Sequence, residues 1–177
     1  MKHLFFFLAV LATTAIQAQY KPVDKGSAVK FSVNNFGFAV GGMFTGLSGS
    51  ITFDPQHPAD GSFDVTIDAS TVNTDNTLRD SHLKNDGYFD VANYPRIQLV
   101  SSLLAAGDKT GVLVFTGHLT MKGKTKAVSF PFTVTPVEGG FIFKGSFSIN
   151  RKDFGIGGTS TISNEVKVEL DVAVVKQ

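Results

Sequence analysis

The feature that most constrains this chain is an alternation of apolar and polar residues that returns in many short runs after residue 27. The run at residues 166–174 reads VKVELDVAV and shows the period most plainly. Successive side chains of a β-strand point to opposite faces, so this period predicts strands with one buried face. About eight such runs, joined by turns rich in Gly, Asp and Pro, predict an all-β protein built as an antiparallel sandwich or barrel.

Residues 1–18 are predicted to be a secretory signal peptide that does not belong to the fold. Lys2 precedes an apolar run from Leu4 to Leu11, and small residues then lead to Ala18. The run is too short to cross a bilayer as a helix. Cleavage after Ala18, with Ala15 as the alternative, leaves residues 19–177 as one domain without an integral membrane segment. A periplasmic or secreted location follows from this prediction.

Charge and cysteine content exclude several classes of protein. The chain has 16 basic and 15 acidic residues, and Lys2 lies in the leader, so the mature chain is formally neutral. No basic field is present to attract nucleic acid. The chain has no Cys, which excludes a disulfide framework, a thiolate metal site and a lipidated cysteine. Burial of apolar surface and strand pairing must therefore hold the fold together.

Residues 79–95, RDSHLKNDGYFDVANYP, interrupt the strand pattern with a crowd of charges. Just before them, Asp75 or Asn76 can cap a helix, because a side-chain oxygen there can accept from the free amides of a first turn. We therefore predict a short helical excursion near residues 75–84, followed by an ordered loop. Such a segment is either a functional loop or an ordered cap on the sheet.

The histidines give little support for a metal or catalytic site. His57, His82 and His118 lack the i, i+2 or i, i+4 partners of a metal pair, so neither a metal nor a cofactor is expected. Asp80 lies two residues before His82, which leaves an acid–base couple conceivable, but Ser81 has no nucleophile-elbow signature. The favoured interpretation is that the charged side chains satisfy one another and the loop backbone. These are Arg79, Asp80, His82, Asp86 and Asp90.

Phenylalanine is abundant, with 17 residues in the chain. Any one of them is by default a core residue, but as a set they are consistent with an apolar cavity, since small apolar-lined barrels carry apolar ligands. Pro131 interrupts one of the aromatic runs and indicates a sheet edge or a bulge. The predicted lining consists of Phe31, Phe36, Phe38, Phe44, Phe115, Phe130, Phe132, Phe141, Phe143, Phe147 and Phe154.

Four ordered motifs carry a family resemblance. The most specific is Arg79-Asp80-x-His82-Leu83-Lys84, with Tyr88-Phe89-Asp90 and Tyr94-Pro95 behind it. Supporting motifs are Ser27-x-Val29-x-Phe31, Leu119-Thr120-Met121-Lys122-Gly123 with Lys126, and Asn150-Arg151-x-Asp153-Phe154-Gly155. Together they run through essentially the whole mature chain, which resembles the YceI-like family of exported polyisoprenoid-binding proteins.

The resemblance implies an eight-stranded antiparallel, lipocalin-like barrel whose tunnel binds a polyisoprenoid or similar long-chain lipid, with no catalytic residues. Two alternatives stay open: a stress-response or interaction barrel without a ligand, and a lipid-modifying enzyme with Asp80 and His82 as an acid–base pair. A homodimer also stays open, since some relatives with this barrel dimerise. The residues predicted to have a structural role are Arg79, Asp80, His82, Asp90, Arg151 and Asp153.

Overall fold

The computed structural model describes residues 18–158 and 161–177, which form nine strands and one short α-helix. The helix, α1 (Thr77–Leu83), lies between the fourth and fifth strands. The predicted leader lies outside the described residues, apart from Ala18. The strands are β1 (Gln19–Asn35), β2 (Phe38–Phe44), β3 (Ser48–Thr52), β4 (Ser62–Asp68), β5 (Arg96–Ala106), β6 (Val112–Met121), β7 (Lys124–Val137), β8 (Gly140–Asn150) and β9 (Ile162–Lys176).

The strands close into an eight-stranded antiparallel barrel. From β3 to β9 each strand pairs with the next one along the chain. The long strand β1 closes the ring, because it pairs with β9 along most of its length and with β3 at Gln19 and Tyr20. Strand β2 pairs with the second half of β1, so β2 and β3 together occupy one strand position. The predicted eight-stranded barrel is confirmed, and the sandwich is excluded.

The chain connections give the barrel two different ends. The β1–β2 and β6–β7 hairpins lie at one end together with residues 69–95 and 151–158, and we call this the loop end. The connections at residues 53–61, 107–111 and 138–139 lie at the other end, which we call the turn end. The charged segment recognised in the sequence therefore covers the loop end.

Helix α1 begins where the sequence predicts a helical excursion. The side chain of Asn76 accepts from the backbone N–H of Arg79 at 2.9 Å, so Asn76 is the capping residue. A helix of seven residues is too short to be stable alone. Leu83 holds its last turn in place by packing against buried residues at the loop end.

Pro131 marks the point where β7 separates from β8. The ladder between these strands runs from Val137↔Gly140 to Phe132↔Gly145 and stops there, while β7 continues beside β6 to Lys124. Proline offers no N–H to a ladder, so it favours such an edge position. Phe130 and Phe147 stack across the open seam with ring centroids 4.5 Å apart.

The core consists of two clusters, one at each end of the barrel. In the turn-end cluster, Phe53 and Leu104 are almost completely buried, and the rings of Phe53 and Phe143 meet edge to face at 5.2 Å. The loop-end cluster combines strand residues with Phe89 and Phe154, which come from the loops. The turn end is thus closed by tightly packed side chains, and the loop end is closed by loops laid across the strands.

Candidate functional site

A cavity of about 220 Å³ lies inside the barrel and extends between the two clusters. Its walls are almost wholly apolar, because alternate residues on each strand point inward and these positions carry Val, Leu, Ile or Phe. Strand β9 shows this best, since Val166, Val168, Leu170 and Val172 all line the cavity. The cavity therefore offers apolar contact with almost no hydrogen-bonding groups.

Seven of the eleven phenylalanines predicted to line a cavity do so. They come from five different strands, which places aromatic rings around much of the wall. These seven are Phe31, Phe44, Phe115, Phe130, Phe132, Phe143 and Phe147.

The other four predicted lining residues lie elsewhere, and the prediction is corrected for them. Phe141 belongs to the turn-end cluster, where its ring contacts Tyr20 at a centroid distance of 5.1 Å. Phe154 is buried in the loop-end cluster. Phe36 and Phe38 lie at the tip of the β1–β2 hairpin and are exposed. Alternation gives the face of a strand on which a residue lies, but not its height along the barrel.

Aliphatic lining residues are missing from the phenylalanine-based prediction. Val65 on β4 and Leu99 on β5 line the cavity together with the inward positions of β9. The alternation in these strands already contains this information, because every second residue of a half-buried strand faces the interior.

The loop-end wall of the cavity comes partly from the charged segment 79–95 and partly from the β8–β9 connection. Leu83 and Tyr88 reach it from the charged segment, Ile156 reaches it from the β8–β9 connection, and Ile162 begins β9. Leu83, Tyr88 and Ile162 are only partly buried. This wall is consequently less tightly packed than the turn-end cluster.

Asp80 and Arg79 hold the start of the charged segment through Thr74, which is buried. The Asp80 carboxylate accepts from the Thr74 backbone N–H at 2.9 Å and from its hydroxyl at 2.5 Å. Arg79 donates through Nε to Thr74 Oγ1 and through Nη2 to the Thr74 carbonyl, both at 2.7 Å. Asn73, which precedes Thr74 in the chain, exchanges two backbone hydrogen bonds with Met43 on β2. These contacts fix α1 to the side of the barrel.

His82 and Asp90 contact loop residues rather than each other. The His82 ring lies edge to face with Tyr88 at a centroid distance of 4.8 Å, and the hydroxyl of neighbouring Ser81 donates to the Thr77 carbonyl. Asp90 has a positive φ of 51°, and its carboxylate accepts from the side-chain amide of Asn93. Asp80 thus accepts hydrogen bonds from Thr74, and the His82 ring packs against Tyr88. These contacts are of the kind that order a loop.

Arg151 organises the second segment at the loop end. Its buried guanidinium donates to the carbonyls of Ile156, Ile162 and Ser163 at 2.8–3.0 Å. A planar guanidinium can reach several carbonyls at once, which makes it a natural clamp for a loop. Asp153, the other residue predicted from this motif, is exposed.

Asp68 ends β4 and starts the loop-end connection. The hydroxyl and backbone N–H of Ser70 donate to its carboxylate at 2.7 and 2.8 Å, and these hydrogen bonds hold the pKa of Asp68 below its usual value. A lowered pKa contributes stability above the usual carboxyl range, and this contribution is lost as the pH falls through the lowered pKa. This effect concerns the stability of the loop end and not the cavity, which Asp68 does not line.

The described residues contain neither a cluster of metal ligands nor a membrane-spanning helix. Among residues 18–158 and 161–177, no group of three or more His, Asp and Glu side chains could hold a metal ion. No helix in the same part of the chain is long and apolar enough to span a membrane.

The fold and the site together define a lipocalin-like barrel protein with an internal apolar cavity. Residues 20–174 match the family model of the YceI-like domain. The chain belongs to the YceI-like family, which confirms the resemblance seen in the sequence.

Known proteins of similar sequence or fold agree with this assignment. A UPF0312 protein of Shewanella denitrificans is 35% identical, with 99% of each chain covered. The crystal structure of BcnA from Burkholderia cenocepacia matches with a TM-score of 0.78 and 28% identity, covering 84% of this chain and 96% of that one. A polyisoprenoid binding domain from Saccharophagus degradans shares the fold, with a TM-score of 0.72 and 17% identity over 92% of this chain and 100% of that domain.

Proposed function

We propose that this protein is an exported lipid-binding protein that holds a polyisoprenoid or similar long-chain amphiphile inside its barrel. It would serve as a carrier, a store or a scavenger of that lipid. The observation that carries the proposal is the cavity of about 220 Å³ with almost wholly apolar walls. The polyisoprenoid binding domain from Saccharophagus degradans, which shares the fold, supports this choice of ligand class.

The driving force for binding is the transfer of an apolar tail out of water. Each buried CH₂ group contributes about 0.8 kcal/mol, so a tail of several isoprene units needs few polar contacts. Walls with almost no donors or acceptors also disfavour polar ligands, because the hydrogen bonds of such ligands to water would be lost without replacement. The head group should therefore remain outside the apolar part of the cavity.

A long tail requires the cavity to widen. Its volume of about 220 Å³ is below the roughly 300–1,000 Å³ typical of sites for drug-sized ligands. The seam between β7 and β8 lacks ladder hydrogen bonds beyond Phe132, so the stacked pair Phe130 and Phe147 is held there by packing alone. We expect these two rings to move when a tail is accommodated.

Access to the cavity is proposed from the loop end. The turn end is closed by almost fully buried side chains such as Phe53, Leu104 and Val174. The loop-end wall includes the partly exposed side chains of Leu83, Tyr88 and Ile162. Residues 79–95 would then order the opening and gate it, with their charges in a structural role.

Export is the part of the proposal that rests on the sequence alone. The order of Lys2, an apolar run and small residues up to Ala18 is typical of a cleaved signal peptide. The mature protein, residues 19–177, would then be free in the periplasm or secreted, because it has no Cys for lipidation.

The proposed function is tested by native mass spectrometry, with solvent extraction, on protein purified from the envelope of its own host. We expect a co-purifying lipid with an isoprenoid or long acyl tail. Protein without ligand that also fails to take up added polyisoprenoid would favour an interaction barrel without a ligand. The same spectra report whether the protein is a monomer or a homodimer.

The enzyme alternative is tested with the His82→Ala variant. Because the His82 ring packs on Tyr88, we expect the variant to bind lipid and to leave it chemically unchanged, as the wild type does. Turnover of the lipid by the wild type, lost in the variant while binding is retained, would favour the enzyme.

A further inference from the structure

The most exposed large apolar side chains among residues 18–158 and 161–177 all lie at the loop end. Phe36 and Phe38, at the tip of the β1–β2 hairpin, are 75% and 77% exposed, and Leu78 on α1 is 83% exposed. Away from the loop end, Leu103 and Val137 are exposed to 51% and 42%. Apolar exposure is thus concentrated where the cavity is covered by loops.

The backbone at the hairpin tip makes the choice of phenylalanine unusual. Asn35 pairs with Phe38, which leaves Phe36 and Gly37 as a two-residue turn with φ values of 50° and 84°. Asn-Gly and Asp-Gly suit such a turn, and a bulky residue at positive φ is rare. Folding alone would favour Asn or Asp at position 36, so an exposed aromatic ring there calls for another reason.

The β6–β7 hairpin at the same end of the barrel provides a comparison. Its two-residue turn, Lys122-Gly123, also has two positive φ values, 50° and 68°, but the Lys122 ammonium donates to the carbonyls of Asp86 and Gly155. The side chain of Lys122 therefore connects two loops of the same molecule. Phe36 instead presents most of its ring to the solvent.

An apolar face leads from the cavity toward the hairpin tip. Directly opposed residues of an antiparallel pair lie on the same face, and the opposed pairs here are Phe31↔Gly42, Val33↔Val40 and Asn35↔Phe38. Phe31 and Val33 line the cavity. Phe38 therefore continues the inward face of the barrel beyond its rim, as would suit a lipid tail moving between the cavity and an apolar medium.

The charge pattern indicates the chemistry of the partner. The 23 residues from Phe31 to Phe53 contain no Asp, Glu, Lys or Arg. The β1–β2 hairpin tip within this stretch has no ammonium or guanidinium groups to attract anionic head groups, but it can insert aromatic rings into the interface of a bilayer without desolvating a charge. A neutral, zwitterionic lipid surface fits it best.

We infer that the β1–β2 hairpin docks the barrel on a zwitterionic bilayer by inserting Phe36 and Phe38. The biological purpose of docking rests on the proposed lipid-binding function, but docking itself is measured without any cavity ligand. It is a second, separate lipid contact on the outside of the barrel.

The test is flotation of the mature protein with phosphatidylcholine vesicles that contain no polyisoprenoid. The wild type is compared with the double variant Phe36→Ser/Phe38→Ser and with the matched control Leu103→Ser/Val137→Ser, which removes two exposed apolar side chains away from the loop end. We expect the hairpin variant to lose vesicle partitioning by about tenfold or more, and the control to keep it. Raising the salt concentration should leave wild-type partitioning unchanged, because screening acts on charges.

Three outcomes would overturn the inference. They are a wild type that does not float, a hairpin variant that floats as well as the wild type, and a wild type that sediments as a dimer which the hairpin substitutions dissociate. The last outcome would assign the hairpin tip to a second copy of the chain. Circular dichroism and thermal midpoints of both variants establish that they are folded.

Uptake of polyisoprenoid delivered from ethanol separates this inference from the proposed function. The hairpin variant should still take up the lipid in the absence of vesicles, because Phe36 and Phe38 do not line the cavity. Vesicle binding without uptake would contradict the proposed function alone, and uptake without vesicle binding would contradict docking alone.

Discussion

At the scale of single residues, the buried Thr74 shows what the charged segment does. Two of its hydrogen bonds end on one carboxylate oxygen of Asp80, and two more come from Arg79. A buried N–H that loses its acceptor costs about 1–3 kcal/mol. Asp80 and Arg79 thus attach α1 through Thr74, and this geometry supports the structural role predicted for these two residues.

The Asp80→Ala substitution is expected to destabilise the protein by about 1–3 kcal/mol, because it leaves the buried Thr74 N–H without its acceptor. The free energy of unfolding, measured by denaturant titration, checks this. Asp86→Ala is the matched control, since Asp86 lies exposed in the same segment and only its backbone carbonyl is bonded to Lys122. An Asp80→Ala variant as stable as the control would refute the structural role of the Asp80 carboxylate.

At the scale of elements, the sequence could predict those features that are determined by residues close together in the chain. The cap of α1 was predictable because the Asn76 side chain and the Arg79 N–H that it accepts from are three residues apart. The seam at Pro131 was predictable because proline has no N–H to donate to a neighbouring strand, whatever the rest of the fold. The eight strand positions of the barrel followed from the alternation, and its closure followed from the family resemblance, but the ninth strand and the pairing of β1 with β9 were not predicted.

The positions of Phe36, Phe38 and Phe141 could not be predicted in the same way. The period of a strand fixes the side on which a ring lies, but the length of the hairpin and the stagger of the barrel fix its height. Phe38 continues the inward face of β2 and still lies beyond the rim, while Phe141 lies among the buried rings that close the turn end. Both facts depend on long-range strand register.

The Arg151→Lys substitution tests the clamp on the β8–β9 connection. A lysine ammonium keeps the charge but cannot reach three carbonyls with the geometry of a guanidinium. We expect a loss of about 2–3 kcal/mol in unfolding free energy and faster hydrogen exchange at the amides of Ile156 and Gly157, which bond to Arg151 and Gly87. Unchanged exchange at these two amides would show that Arg151 does not order the loop. Asp153→Ala, an exposed change in the same turn, should leave exchange unaltered.

At the scale of the whole molecule, the two ends of the barrel differ: the turn end is closed by packed side chains, and the loop end offers the proposed access to the cavity. The turn end contains the larger buried aromatic cluster, and the loop end contains the loops, the partly exposed cavity wall and the seam between β7 and β8. Regions with less packing open more readily than the rest of a native protein. A ligand that fills the cavity should therefore stabilise the loop end most.

Ligand binding inside the barrel should raise the thermal midpoint by mass action. At a free lipid concentration about 100 times the Kd, binding adds roughly 2.7 kcal/mol, which corresponds to about 5–10 °C for a domain of this size. The variant Val65→Phe/Val172→Phe should lose this increase, because two larger side chains fill a cavity that both valines line. Overpacking costs the variant about 1–3 kcal/mol of stability and so lowers its midpoint without ligand. The midpoint of each protein with lipid is therefore compared with its own midpoint without lipid.

Val100→Phe is the control, since Val100 follows the lining residue Leu99 on β5 and points to the outer face of the barrel. Equal midpoint increases in the wild type and in the filled variant would place the lipid outside the cavity, whatever its affinity.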